Sequence, residues 1–222
     1  MNQDILVNTY FTKEVLGFEP TEHLRLVAKI FSRRSDVFRA VVNSFSSLKQ
    51  EYHFQPMIGA HLDFIFDDER ICITRGEQSQ ILSKNDFLRY LEIIDKLYGE
   101  ILPLGSIVLL DAEMLPKEIA VDLPESTALY VLITGRKVLL PNHQYLDYTG
   151  EFWPEGLRSG QEPIVFSSSM IAEVVFRGLE NNHLEDDYQL SLRRELLSED
   201  RKSLFYKSLA RKVSNYDSSK EV

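Results

Sequence analysis

Three side chains have both the types and the spacing for chemistry: His53, His61 and Asp63. His61 and Asp63 stand two apart, so on a strand they share a face and offer a metal an imidazole and a carboxylate. The wet edge of a hairpin explains the same spacing more simply. Asp67-Asp68-Glu69 could bind a hard cation but lacks the ligand spacing of a calcium loop, so a hairpin turn accounts for it better. Cys72 sits between Ile71 and Ile73 with no base beside it, and a buried, inert thiol is expected. Ser167-Ser168-Ser169, ahead of Met170 and Ile171, reads as the cap of a short turn. The sequence holds no Walker loop, no G-x-G-x-x-G, no G-x-S-x-G and no H-E-x-x-H. The expectation is a protein that is not an enzyme, with no catalytic residue, no metal and no cofactor.

The elements that would position these residues follow from periodicity. Residues 22–49 carry apolar side chains at Leu24, Val27, Phe31, Phe38, Val41, Phe45 and Leu48, at helical spacing. The polar break Ser32-Arg33-Arg34-Ser35-Asp36 leaves open one long helix or two short ones, with Ser35 or Asp36 as a cap. Residues 53–59, with Pro56 and Gly59, read as loop. His61 to Phe66 and Ile71 to Thr74 read as a hairpin. Ser83 opens a helix through Phe87, Leu88, Leu91, Ile94 and Leu97, which Gly99 suits as a left-handed cap. At Pro103 the period changes from 3.6 to 2. Ser106 to Leu110, Ala128 to Thr134, Val138 to Leu140, Tyr145 to Thr149, Ile164 to Phe166 and Ala172 to Phe176 read as short strands of one antiparallel module. After Gly178 a stripe of Leu184, Tyr188, Leu192 and Leu196 is helical. Ser198 could cap a further helix carrying Leu204, Phe205, Leu209 and Val213. The fold class is therefore α+β. Residues 1–100 form a helical segment with a hairpin at about 61–74, residues 101–178 the β module, and residues 179–222 C-terminal helices with a polar tail.

Composition narrows the function. The 222 residues carry a net charge of −9 and only short basic runs, which disfavours nucleic-acid phosphate. One cysteine rules out an internal disulfide and suits a reducing compartment. No basic stretch followed by an apolar run opens the chain, and apolar stretches such as Ile107 to Leu110 fall far short of the roughly 20 residues that span a bilayer. A cytoplasmic protein without membrane insertion is expected.

Residues 102–178 hold four pieces in a particular order. They are Leu102-Pro103-Leu104-Gly105-Ser106-Ile107-Val108-Leu109-Leu110; a strand ending at Gly135-Arg136; Asp147-Tyr148-Thr149-Gly150 running to Pro154-Glu155-Gly156; and Ile171 to Gly178 with Glu173, Val174 and Phe176. In this order they resemble a family of uncharacterised proteins from the type VII secretion loci of Gram-positive bacteria, encoded beside LXG polymorphic toxins. The interval Asp111 to Ser126 is longer than that family's usual turn. The resemblance implies a chaperone or targeting adaptor that binds an LXG-type effector before export, with no catalytic residues to carry over. An immunity protein that neutralises the toxin domain is the alternative, and its acidic charge would suit a basic toxin. A metal-dependent enzyme built on His53, His61 and Asp63 is a third. The chain lacks W-x-G, and its Tyr10-x-x-x-Glu14 match is of a kind that chance supplies among ten tyrosines and 34 acids, so it does not look exported itself.

Within the module, Tyr148, Phe152 and Trp153 are expected to mark either the contact with the protein partner or the plug that closes the sheet. Aromatic side chains dominate interface hot spots because they bury large area for little lost rotamer freedom.

Overall fold

The computed structural model describes residues 3–67, 69–114, 128–157 and 162–220. Asp68 of the expected turn, and residues 115–126 of the long interval, lie outside them. The helices are α1 (Gln3–Tyr10), α2 (Lys13–Leu16), α3 (Glu22–Arg33), α4 (Ser35–Ser46), α5 (Lys84–Tyr98), α6 (His183–Ser198) and α7 (Leu204–Lys220). The strands are β1 (Glu51–Phe54), β2 (Leu62–Phe66), β3 (Arg70–Arg75), β4 (Gln78–Ser83), β5 (Ile107–Leu110), β6 (Tyr130–Leu140), β7 (Gln144–Phe152), β8 (Ile164–Phe166), β9 (Ile171–Phe176) and β10 (Lys202–Ser203). The fold is α+β, with helices at both ends of the chain around the β region. Residues 1–99 with 206–222 make one compact unit and residues 100–205 another, so the C-terminal stretch is divided at Tyr206.

In the first unit an antiparallel sheet, β1-β2-β3-β4, lays one face against α3, α4 and α5. Leu62, Phe64, Ile71, Ile73 and Leu82 point into this core, where Phe64 stacks on Phe31 and Phe45 meets Phe87 edge-on. The sheet is twice the expected hairpin. Pro56 and Gly59 draw the loop too early, for Glu51–Phe54 already alternates Tyr52 and Phe54 against Glu51 and His53. Gln78–Ser83 is too polar to read as a strand, yet Gly76, with φ 58, makes the two-residue turn that returns the chain along β3. Residues 22–49 form two helices, because Arg34 leaves helical geometry and its guanidinium takes both oxygens of Asp36. Ser83 caps α5 through Asp86 N. Gly99 is not left-handed (φ −53); a Cβ there would strike the Asp95 carboxylate and carbonyl.

In the second unit the sheet order is β10-β7-β6-β5-β9, with β8 also on β7. All pairs are antiparallel except the two-residue β10 against Gln144 and Tyr145. The core holds Leu102, Val108, Leu110, Leu129, Val131, Ile133, Tyr148, Ile164, Phe166 and Ile171. Gly135 does not end a strand as expected. A bulge between Ile133 and Gly135 absorbs one residue, and β6 runs on to Leu140. Gly150 is glycine because a Cβ would meet the Val131 side chain and the Leu132 carbonyl across the sheet. Ser198 caps nothing; Ser203 accepts from Phe205 N at the start of α7.

Candidate protein-binding surface

Strands β5 and β6 open with uninterrupted apolar runs, Ile107-Val108-Leu109-Leu110 and Tyr130-Val131-Leu132-Ile133. Successive side chains point to opposite faces. Val108, Leu110, Val131 and Ile133 therefore enter the core, and Ile107, Leu109, Tyr130 and Leu132 project from the other face. An antiparallel sheet with one solvated face ordinarily turns polar residues to water. Here register sets Phe176, Ile107, Leu132 and Glu151 side by side in one row, and Glu173, Leu109 and Tyr130 in the next. Val165 stands beside Thr149 on the same face. Phe176 and Val165 are exposed, and Ile107, Leu109, Tyr130 and Leu132 are half-buried.

Trp153 belongs to this face. Its backbone N–H donates to Tyr130 O at 2.9 Å, and its ring meets the Tyr130 ring edge to face at 6.3 Å. The side chain is 51% exposed. The turn that carries it is pinned by Gly156 N–H to Phe152 O and by Leu157 N–H to the Glu151 carboxylate. The Trp153–Pro154 peptide bond is cis.

The other two aromatics expected at the contact differ. Tyr148 is fully buried, stacked on Phe166. Its hydroxyl accepts from Leu102 N at 3.0 Å and donates to Glu100 O at 3.2 Å, so it is a plug and has no surface to give a partner. Strand alternation causes this: position 148 shares the core face with Gly150 and Phe152. Phe152 packs partly buried against the same core.

Past the bulge the same outer face is closed. Lys137 donates to Asp147 Oδ1 at 2.9 Å with both side chains buried, and the ammonium lies over the Tyr145 ring. Asp147 Oδ2 accepts from Ser168 N at 3.1 Å. Ser167-Ser168-Ser169 does make a short turn, tied down by this carboxylate. On the core face, Arg136 reaches α6: its guanidinium pairs with both Glu185 oxygens, one at 2.8 Å, and lies over the Tyr188 ring. That hydrogen bonding, helped by Gln189, holds the Glu185 carboxyl below the usual range against the opposing effect of burial. A polar cleft of about 210 Å³ lies beside it, lined by Glu100, Arg177, Glu180, Asp186 and Arg193 among others, and Arg177 spans it to Glu100 and Glu180.

The histidine cluster also assembles, on the outer face of the first sheet. Asp63 binds His53 Nδ1 through one oxygen and His61 Nε2 at 3.2 Å through the other. All three side chains are partly exposed, and among the described residues no group of three His, Cys, Asp or Glu is arranged to hold a metal ion. Cys72 is not buried as expected. It lies partly exposed on the same outer face, between Ile65 and Ile81 in register, with its sulfur 3.7 Å from Thr74 Oγ1.

The segment that builds the apolar face lies within a match to a family of proteins. Residues 101–186 match the family model described as Domain of unknown function (DUF4176). No curated protein and no solved structure matches the chain. The DUF4176 segment contains β5 to β9 and the first turn of α6, hence every residue of the apolar face. Its description names no activity. Among the described residues no helix is long and apolar enough to cross a membrane.

Proposed function

We propose that the protein is a non-catalytic binding module whose outer sheet face, centred on Tyr130 and Trp153, holds a segment of another protein. One observation carries the reading: Ile107–Leu110 and Tyr130–Ile133 are apolar on both faces, and among the described residues one face is fully buried while the other is only half-buried. A cover over Ile107, Leu109, Tyr130, Leu132, Trp153 and Phe176 would take from water the part of each that is still exposed, at about 25 cal/mol per Å² of apolar surface. The order of sequence motifs points to the occupant. We take it to be an LXG-type effector toxin, which the protein would hold in the cytoplasm as a chaperone or targeting adaptor for type VII secretion.

The test is co-expression of the chain with the LXG domain and the toxin domain of the neighbouring effector, each produced separately. Retention of the LXG domain, or of its junction with the toxin domain, is expected. Retention of the toxin domain alone would make the protein an immunity factor, a role its net charge of −9 would suit against a basic toxin. Retention of neither overturns the reading.

A further inference from the structure

Helix α6 carries an apolar stripe that is covered over only half its length. Leu192, Leu196 and Leu197 are buried, whereas Leu184 and Tyr188 are 67% and 51% exposed. The outward face runs Leu184, Asp187, Tyr188, Ser191, Arg194 and Glu195, with Glu195 partly buried and the others exposed. At 100° per residue, Ser191 is at the middle of that face. Asp187 and Arg194 fall on one flank, Tyr188 and Glu195 on the other. Each flank pair is seven residues, about two turns, apart.

We propose that this face is the interface of a homodimer, with two α6 helices packed antiparallel about a two-fold axis at Ser191. The helix is complementary in charge to a reversed copy of itself. An antiparallel two-fold brings like flanks together and reverses their heights. Asp187 then meets Arg194 of the second copy, and the symmetry makes that ion pair twice. On the opposite flank the Tyr188 hydroxyl meets the Glu195 carboxylate of the second copy, again twice. The small Ser191 at the axis lets the two backbones approach, and Leu184 lies over the far end of the other helix. A parallel arrangement would set equal heights and unlike flanks together and would pair none of these charges. An interface of this kind is isologous, the commonest form among soluble oligomers. It is separate from the sheet face of the proposed function, and either can stand without the other.

Sedimentation equilibrium of the full chain over a concentration series tests it. The wild type should reach twice the mass of one chain. Asp187→Arg and Arg194→Asp should each weaken association at least about tenfold, since like charges then meet twice. The double variant D187R/R194D should recover it. Ser191→Arg, at an exposed position on the axis, should give a monomer, and it serves as the second probe should a charge reversal disturb folding. A wild type that stays monomeric at every concentration overturns the proposal. So does a dimer indifferent to Ser191→Arg or to both single reversals, or a double variant no better than its parents.

Discussion

The two sheets of this protein turn different faces to water. Each packs one side into a core. The outer face of the first is what a solvated sheet should be: Glu51, His53, Asp63, Thr74 and Ser79, with Ile65 and Ile81 the main apolar exceptions. The outer face of the second carries Ile107, Leu109, Tyr130, Leu132, Trp153 and Phe176, with Glu151 and Glu173 beside them. The same rule of alternation is kept in one and set aside in the other. The difference is the physical ground for placing binding in the second unit.

Carboxylates on the two outer faces sharpen the comparison. Asp147 is buried against Lys137, and Asp63 lies partly exposed against His53 and His61. Asp147→Ala takes from a buried ammonium the carboxylate to which it donates and should cost about 3–5 kcal/mol. Asp63→Ala should cost about 0–1 kcal/mol, as partly exposed pairs do. Urea unfolding of the two variants checks this. Equal costs would mean that the two outer faces are not solvated differently.

A smaller effect concerns pH. Arg136 holds the Glu185 carboxyl below its usual range, so the unfolded chain takes up the proton first as pH falls. The stability from this pair is fully present above the ordinary carboxylate value of 4.5 and is lost as pH drops through the lower folded value. The melting temperatures of wild type and Glu185→Gln should therefore differ at pH 7 and converge in acid below that ordinary value. A constant difference across that range would contradict the assignment.

Much of this arrangement was legible in the sequence, and its gaps have causes. The α5 stripe and the β8 boundaries follow from period and turn residues alone. Ile107 and Leu109 cannot be told from core by pattern: the runs Ile107–Leu110 and Tyr130–Ile133 state that both faces are apolar, but not which face is covered. That continuous run was the available signal for the binding face, and it reads first as burial. Tyr148 shows the converse. It sits two residues before Gly150 on the core side, and only the register of β7 against β6 and β8 separates it from Trp153. The meeting of His53 with Asp63 depends on β1, a strand hidden by Pro56 and Gly59 downstream.

Trp153→Ala, read by melting and by binding of the proposed effector together, with Ile65→Ala on the first sheet as the control, separates a contact residue from core. Trp153→Ala should change stability by less than about 1 kcal/mol, because the ring is half in water, yet weaken binding by about 2 kcal/mol or more. Ile65→Ala should leave binding unchanged. Wild-type affinity in a normally melting Trp153→Ala variant, or a stability loss of about 3–5 kcal/mol from it, would rule out a binding role for this side chain.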